Sequence, residues 1–171
     1  YGKDGEVPPQ LDGGPDAWFT SDGLHQGHAY YTRNATDPAN SAVYRYPNSQ
    51  EAANIWFHDH TLGATRLNVY AGLAGAYVIT DPAAPANLPG PIVPLVIQDR
   101  MFDTNGQLYM PSVGINPEHP FWVPEFVGDA IVVNGKTWPF FNVEPKAYRF
   151  LILNGSNART YDMFLQTSGR G

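Results

Sequence analysis

His58 and His60 stand either side of Asp59 in the run Trp56-Phe57-His58-Asp59-His60. In an extended strand alternate side chains project to the same face, their Cα atoms about 6 to 7 Å apart. The two imidazoles therefore point together and Asp59 points away, as a solvent-facing or supporting group rather than a third ligand. Paired neutral imidazoles suit Cu, Zn, Ni or Fe, and Cu(II) heads the divalent affinity order. Two His do not complete a four-coordinate site, so further ligands must come from elsewhere.

Other residue types narrow the chemistry. The chain has no Cys, which excludes disulfides, thiolate zinc sites and Cys nucleophiles within these residues. A zinc hydrolase of the metallo-β-lactamase pattern would continue His-x-His with Asp and then His, whereas Thr61 and Leu62 follow here. His25 and His28 lie three apart in a Gly-rich loop and His119 in a Pro-bounded one; all three read as loop residues without a role. Asp12, before Gly13-Gly14-Pro15, reads locally as a turn residue. Trp18, Trp56, Trp122 and Trp138 read as core-filling aromatics.

The elements that must position the imidazoles are short. With 17 Gly and 16 Pro in turn-like clusters, the chain is divided into brief runs rich in Val, Ile, Tyr, Phe and Trp. Strands are expected at 42–46, 54–58, 75–80, 92–98, 130–133 and 148–153, and at most two helical turns within 62–74. Asn105-Gly106 and Asn134-Gly135 read as tight turns. This is the pattern of an all-β sandwich or barrel. The Pro-, Ala- and Asn-rich stretch after Asp81 reads as a linker between two β units. Neither unit reads as complete, so a fragment is expected.

Hydrophobic residues at 43 % and charged residues at 15 % permit a buried core. Sixteen acidic against 10 basic residues, net −6 and without a basic stripe, argue against nucleic-acid binding. No apolar run approaches the roughly 18 to 20 residues of a membrane span. The start at Tyr1 shows no signal peptide and, lacking Met, leaves the compartment open.

The run Asn54–Tyr77, which contains His58-Asp59-His60-Thr61-Leu62, resembles the second copper motif of bacterial laccase-like multicopper oxidases, the group of spore-coat laccase, phenoxazinone synthase and bilirubin oxidase. Leu11–Phe19 resembles the segment after that family's first His-x-His-Gly motif. Val132–Pro139, Tyr148–Phe150 and Asn154–Thr160 resemble the start of its second domain. The resemblance implies a cupredoxin-like Greek-key β-sandwich fold, with parts of two consecutive domains. Residues 1–81 would be the C-terminal part of the first, 82–91 a linker, and 92–171 the N-terminal part of the second.

It also implies copper, with His58 and His60 each binding a different ion of the type 3 pair, and Asp12 near the cluster as an aid to proton movement. The implied reaction takes single electrons from a phenol or aromatic amine and reduces O2 to water. Nucleic acid and membrane are not expected partners.

Two departures limit that expectation. In the family register Tyr1 and Lys3 stand where copper-binding His belong, and a protonated Lys offers no lone pair. The type 1 copper needs a thiolate, which the family supplies from a third domain that is missing from these residues. The chain alone is therefore expected to be inactive. The alternative is a non-catalytic copper-binding or structural cupredoxin module. Arg66 reads as a structural ion-pair partner.

Overall fold

Strand β1, Ala53–His58, pairs antiparallel with β2, Ala74–Ile79, in a register that sets His58 opposite Ala74. Between them runs the α-helix α1, Thr65–Ala71, of two turns. It ends because Gly72 adopts φ 117°, a left-handed conformation that a side chain would oppose. The Gly72 N–H then reaches Val69 O at 3.1 Å and the Leu73 N–H reaches Asn68 O at 3.0 Å, closing the helix as a Schellman motif. Val69 and Tyr70 are the buried face of α1.

The computed structural model describes residues 6–32, 34–83, 90–111 and 125–166. The expected oddities at Tyr1–Gly5, the loop around His119, Trp122 and most of the proposed linker lie outside the described residues. The chain forms two compact units, Tyr1–Leu88 and Pro89–Gly171.

In the second unit β3, Ile92–Arg100, is central to a four-stranded sheet. Strand β4, Ala130–Val133, pairs antiparallel on one side and carries the two-residue β5, Lys136–Thr137, at its outer edge. Strand β6, Arg149–Asn154, pairs parallel with β3 on the other side. Ile97, Phe126, Ala130 and Val132 form the buried apolar part. Beside them Asp99, 1 % exposed, accepts the Gly128 N–H at 2.6 Å and Arg159 Nε at 3.1 Å. Arg159 also donates to Gly128 O.

The expected all-β character holds, with one short α-helix and one 3-10 turn, Pro9–Leu11, among the described elements. The expected strand at 42–46 does not form: Val43, Tyr44 and Tyr46 are exposed and join no described ladder. β-branched and aromatic content favours a strand only where a partner edge is present. Trp56 and Trp138, expected in a core, are 41 % and 68 % exposed.

The Asn134-Gly135 turn joins β4 to β5, both residues at positive φ, 50° and 80°. That is the type I′ geometry matched to strand twist. The Asn134 side chain also extends the ladder, accepting the Val96 N–H at 2.9 Å and donating to Pro94 O at 2.9 Å. Asn134→Ala is expected to lower stability by about 1–2 kcal/mol, since Ala opposes the left-handed backbone and loses both bonds. Denaturant midpoints of the two chains check this.

Candidate metal centre

Strand alternation carries the imidazoles. Trp56, His58 and His60 follow at every second residue, and their rings stack along one face of β1 and its exit. The Trp56 and His58 centroids are 4.4 Å apart, and the His58 and His60 centroids 5.5 Å apart with planes 29° from parallel. Both His are half-buried. The expected shared orientation of the pair is the observed one.

His58 has a defined tautomer. Its Nδ1 lies 2.6 Å from the carbonyl oxygen of Asp59, and a carbonyl only accepts, so Nδ1 must carry the proton. In the neutral ring Nε2 is then left with its lone pair, the state in which an imidazole binds a metal.

Asp59 leaves the His face and turns toward α1. Its carboxylate accepts the Thr61 N–H at 3.1 Å, the Thr61 hydroxyl at 2.9 Å and Asn68 Nδ2 at 3.0 Å. It is a supporting residue of the turn, as its place on the strand implied.

Asp12 lines the same open cleft as His58, Asp59 and His60, a space of about 850 Å³. Its carbonyl accepts the Tyr46 hydroxyl at 3.4 Å. The loop that follows Asp12 is tied to the motif by the Leu62 N–H, which donates to Pro15 O at 2.9 Å. His25 and His28 lie exposed elsewhere on their loop.

Tyr44 and Tyr46, in the segment expected to be a strand, line the cleft instead. Burial pushes the Tyr44 phenol above its ordinary value of 10.0, with the charges of Tyr30 and Asp59 adding to the rise. Burial raises Tyr46 as well, followed by the charge of Asp12. Both phenols are thus held neutral at physiological pH. No periodicity marks these residues; the nearest sequence signal is Gly13, whose bare backbone lies under the Tyr44 ring.

Residues 19–84 match the sequence model of the multicopper oxidase family. Over 96 % of its length the chain is 45 % identical to a laccase of Bacillus subtilis (strain 168). The chain is similar to multicopper oxidases along nearly its whole length. It is also 46 % identical, over 94 % of its length, to "Multicopper oxidase LPR1 homolog 1" of Oryza sativa subsp. japonica. The solved multicopper oxidase McoA of Aquifex aeolicus superposes with a TM-score of 0.52 at 34 % identity, covering 70 % of this chain and 25 % of that one. The chain spans about a third of the Bacillus laccase (32 %) and 27 % of the rice protein.

Copper is the cofactor that the likeness to multicopper oxidases implies, and the residues present fit part of such a site. The fit rests on two stacked imidazoles sharing one cleft, one of them with its outer nitrogen fixed as an acceptor. Among the described residues no group of three or more His, Cys, Asp or Glu is gathered to hold a metal ion. The pair is thus a partial donor set. Bound copper would supply one-electron redox chemistry; His58 and His60 would hold it.

Proposed function

We propose that this chain contributes type 3 copper ligands, His58 and His60, to a laccase-like multicopper oxidase. The whole enzyme would couple one-electron oxidation of phenols or aromatic amines to reduction of O2 to water. Each of the two His would bind a different copper of the binuclear pair. The observation that carries this reading is the stack of two same-face imidazoles in a cleft, His58 presenting an unprotonated Nε2. The laccase relative and the family match over residues 19–84 support it.

Asp12, on the same cleft, would hold and release protons there. The Trp56 ring, tilted 33° against His58 with centroids 4.4 Å apart, covers one side of it. The two units would be parts of consecutive cupredoxin domains, 1–81 and 92–171 with 82–91 as linker, a reading that the division between Leu88 and Pro89 supports.

These 171 residues contain no Cys, so they offer no thiolate for a type 1 copper, where the family takes in electrons. The purified chain is expected to bind copper and to consume no O2 with a phenolic donor. Titration with copper against a chromophoric chelator tests the first part: uptake should be saturable and should be lost in the His58→Ala, His60→Ala double variant. Uptake indifferent to that variant would refute the ligand assignment. Oxygen-electrode turnover above the free-copper background would refute the inactivity.

A further inference from the structure

We propose that Asp59 is a positioning residue of the copper site, latching the exit of β1 to α1 through Asn68 and so fixing both the tautomer of His58 and the direction of His60. The inference rests on the assignment of His58 and His60 as ligands.

Asp59 sits between the two imidazoles, and every polar group it owns is engaged. Its N–H donates to Leu73 O at 2.9 Å, which prolongs the β1–β2 pairing by one step past His58. Its carbonyl accepts the hydrogen bond of the His58 Nδ1–H. Its carboxylate takes Thr61 through backbone and hydroxyl, and takes Asn68 from the middle of α1. Asn68 is itself fixed, because its carbonyl accepts the Leu73 N–H that closes the helix. Thr61 is fixed too, its carbonyl accepting the Thr65 N–H at 3.0 Å and the Thr65 hydroxyl at 2.8 Å.

The consequence is geometric. Rotation about the Asp59 Cα–C bond would swing the Asp59 carbonyl away from His58 and carry the Cα–Cβ bond of His60 with it. One rotation therefore governs both rings. The carboxylate opposes it, because its bonds to Thr61 tie the chain beyond that peptide back to Asp59, while Asn68 anchors Asp59 to α1. Hydrogen-bonded supports of ligating His commonly change metal affinity about 10- to 100-fold when removed.

The bonds of the carboxylate grade the substitutions. Its Oδ2 accepts both the Thr61 N–H and Asn68 Nδ2, and its Oδ1 accepts the Thr61 hydroxyl. Asp59→Ala removes all three bonds, and Asn68→Asp sets carboxylate against carboxylate. Asp59→Asn keeps an oxygen for the Thr61 N–H and Asn68, while its amide donates to the Thr61 hydroxyl. Asp59→Ala and Asn68→Asp are each expected to weaken copper binding by about 10-fold or more, and Asp59→Asn to retain most of it. A second readout needs no copper: ring nitrogen chemical shifts in the metal-free chain should show His58 protonated on Nδ1, shifting toward a tautomer mixture in Asp59→Ala and retained in Asp59→Asn. A loss of stability alone would not move that signal in the folded fraction.

The outcomes separate. Copper uptake that ignores His58→Ala and His60→Ala sinks the ligand assignment, while the tautomer series still decides the role of Asp59. Copper uptake that needs both His but is unchanged in Asp59→Ala and Asn68→Asp sinks the positioning role and leaves the ligands standing. An unchanged His58 tautomer across the series overturns the latch whichever way copper behaves.

Discussion

Arg159→Ala is expected to destabilise the second unit by about 3–5 kcal/mol, the cost of leaving a buried charge without its partner. The asymmetry of the pair decides which substitution is worse. The Asp99 side chain is fully buried, whereas that of Arg159 is 29 % exposed, so an abandoned guanidinium reaches water and an abandoned carboxylate does not. Without Arg159 the Gly128 N–H remains as a donor to Asp99, but Gly128 O loses its bond as well. Gly128 has no slack to offer in compensation, since a Cβ there would lie 2.6 Å from the backbone of Arg100. Urea denaturation followed by the fluorescence of Trp138 should show the lowered midpoint. Asp99→Asn, which keeps an acceptor for Gly128 and removes the charge, should cost less than Arg159→Ala. The reverse order would mean that water reaches Asp99 and that the pair acts as a surface bridge.

Gly27→Ala should be the most damaging single-methyl change in the first unit. A Cβ at Gly27 would stand 2.1 Å from Asp16 O and 2.8 Å from Trp18 Nε1. Asp16 O is backbone and is already committed to the Ala29 N–H at 3.0 Å, while Gly27 itself donates to Trp18 O at 2.8 Å. Nothing flexible can yield, so the loss is expected at the upper end of the roughly 1–3 kcal/mol typical of overpacking, or beyond it. The damage should spread to the cleft, because the displaced segment includes Pro15, whose carbonyl holds the Leu62 N–H beyond His60. Copper affinity and melting temperature are thus expected to fall together in Gly27→Ala. Gly14→Ala, where a Cβ would meet nothing within 4 Å, is the control expected to leave both unchanged. A fully stable Gly27→Ala chain would show that the loop is far looser than the observed contacts.

How far the sequence reveals such features depends on whether they are local. The two-residue period of a strand sufficed to bring His58 and His60 to one face, and the Asn134-Gly135 pair sufficed for its turn. The short helix after His60 was legible from its broken periodicity. The wrongly expected strand at 42–46 has suitable residues and no partner edge, which no local pattern can reveal. Gly27 looked like one of several loop glycines because the atoms it must avoid belong to Asp16 and Trp18, ten or so positions away. Asp99 follows the expected strand at 92–98, and the partner of this most buried polar residue among those described is Arg159, 60 positions on. Tyr44 and Tyr46 reached the cleft by the same kind of long-range meeting.

The parallel pairing of β3 with β6 has a kinetic side. Gln98 and Gly155 meet across 57 positions of chain, whereas Asp59 and Asn68 meet across nine. Loop-closure entropy grows with the logarithm of separation, which makes the longer closure about 1.6 kcal/mol harder, roughly fifteenfold in encounter probability. The imidazole-bearing hairpin with its helix can thus assemble as a local event, ahead of the sheet that must wait for its last strand. A nascent chain would accordingly shape its imidazole-bearing turn first, while β3 still offered an unsatisfied edge to any neighbouring strand.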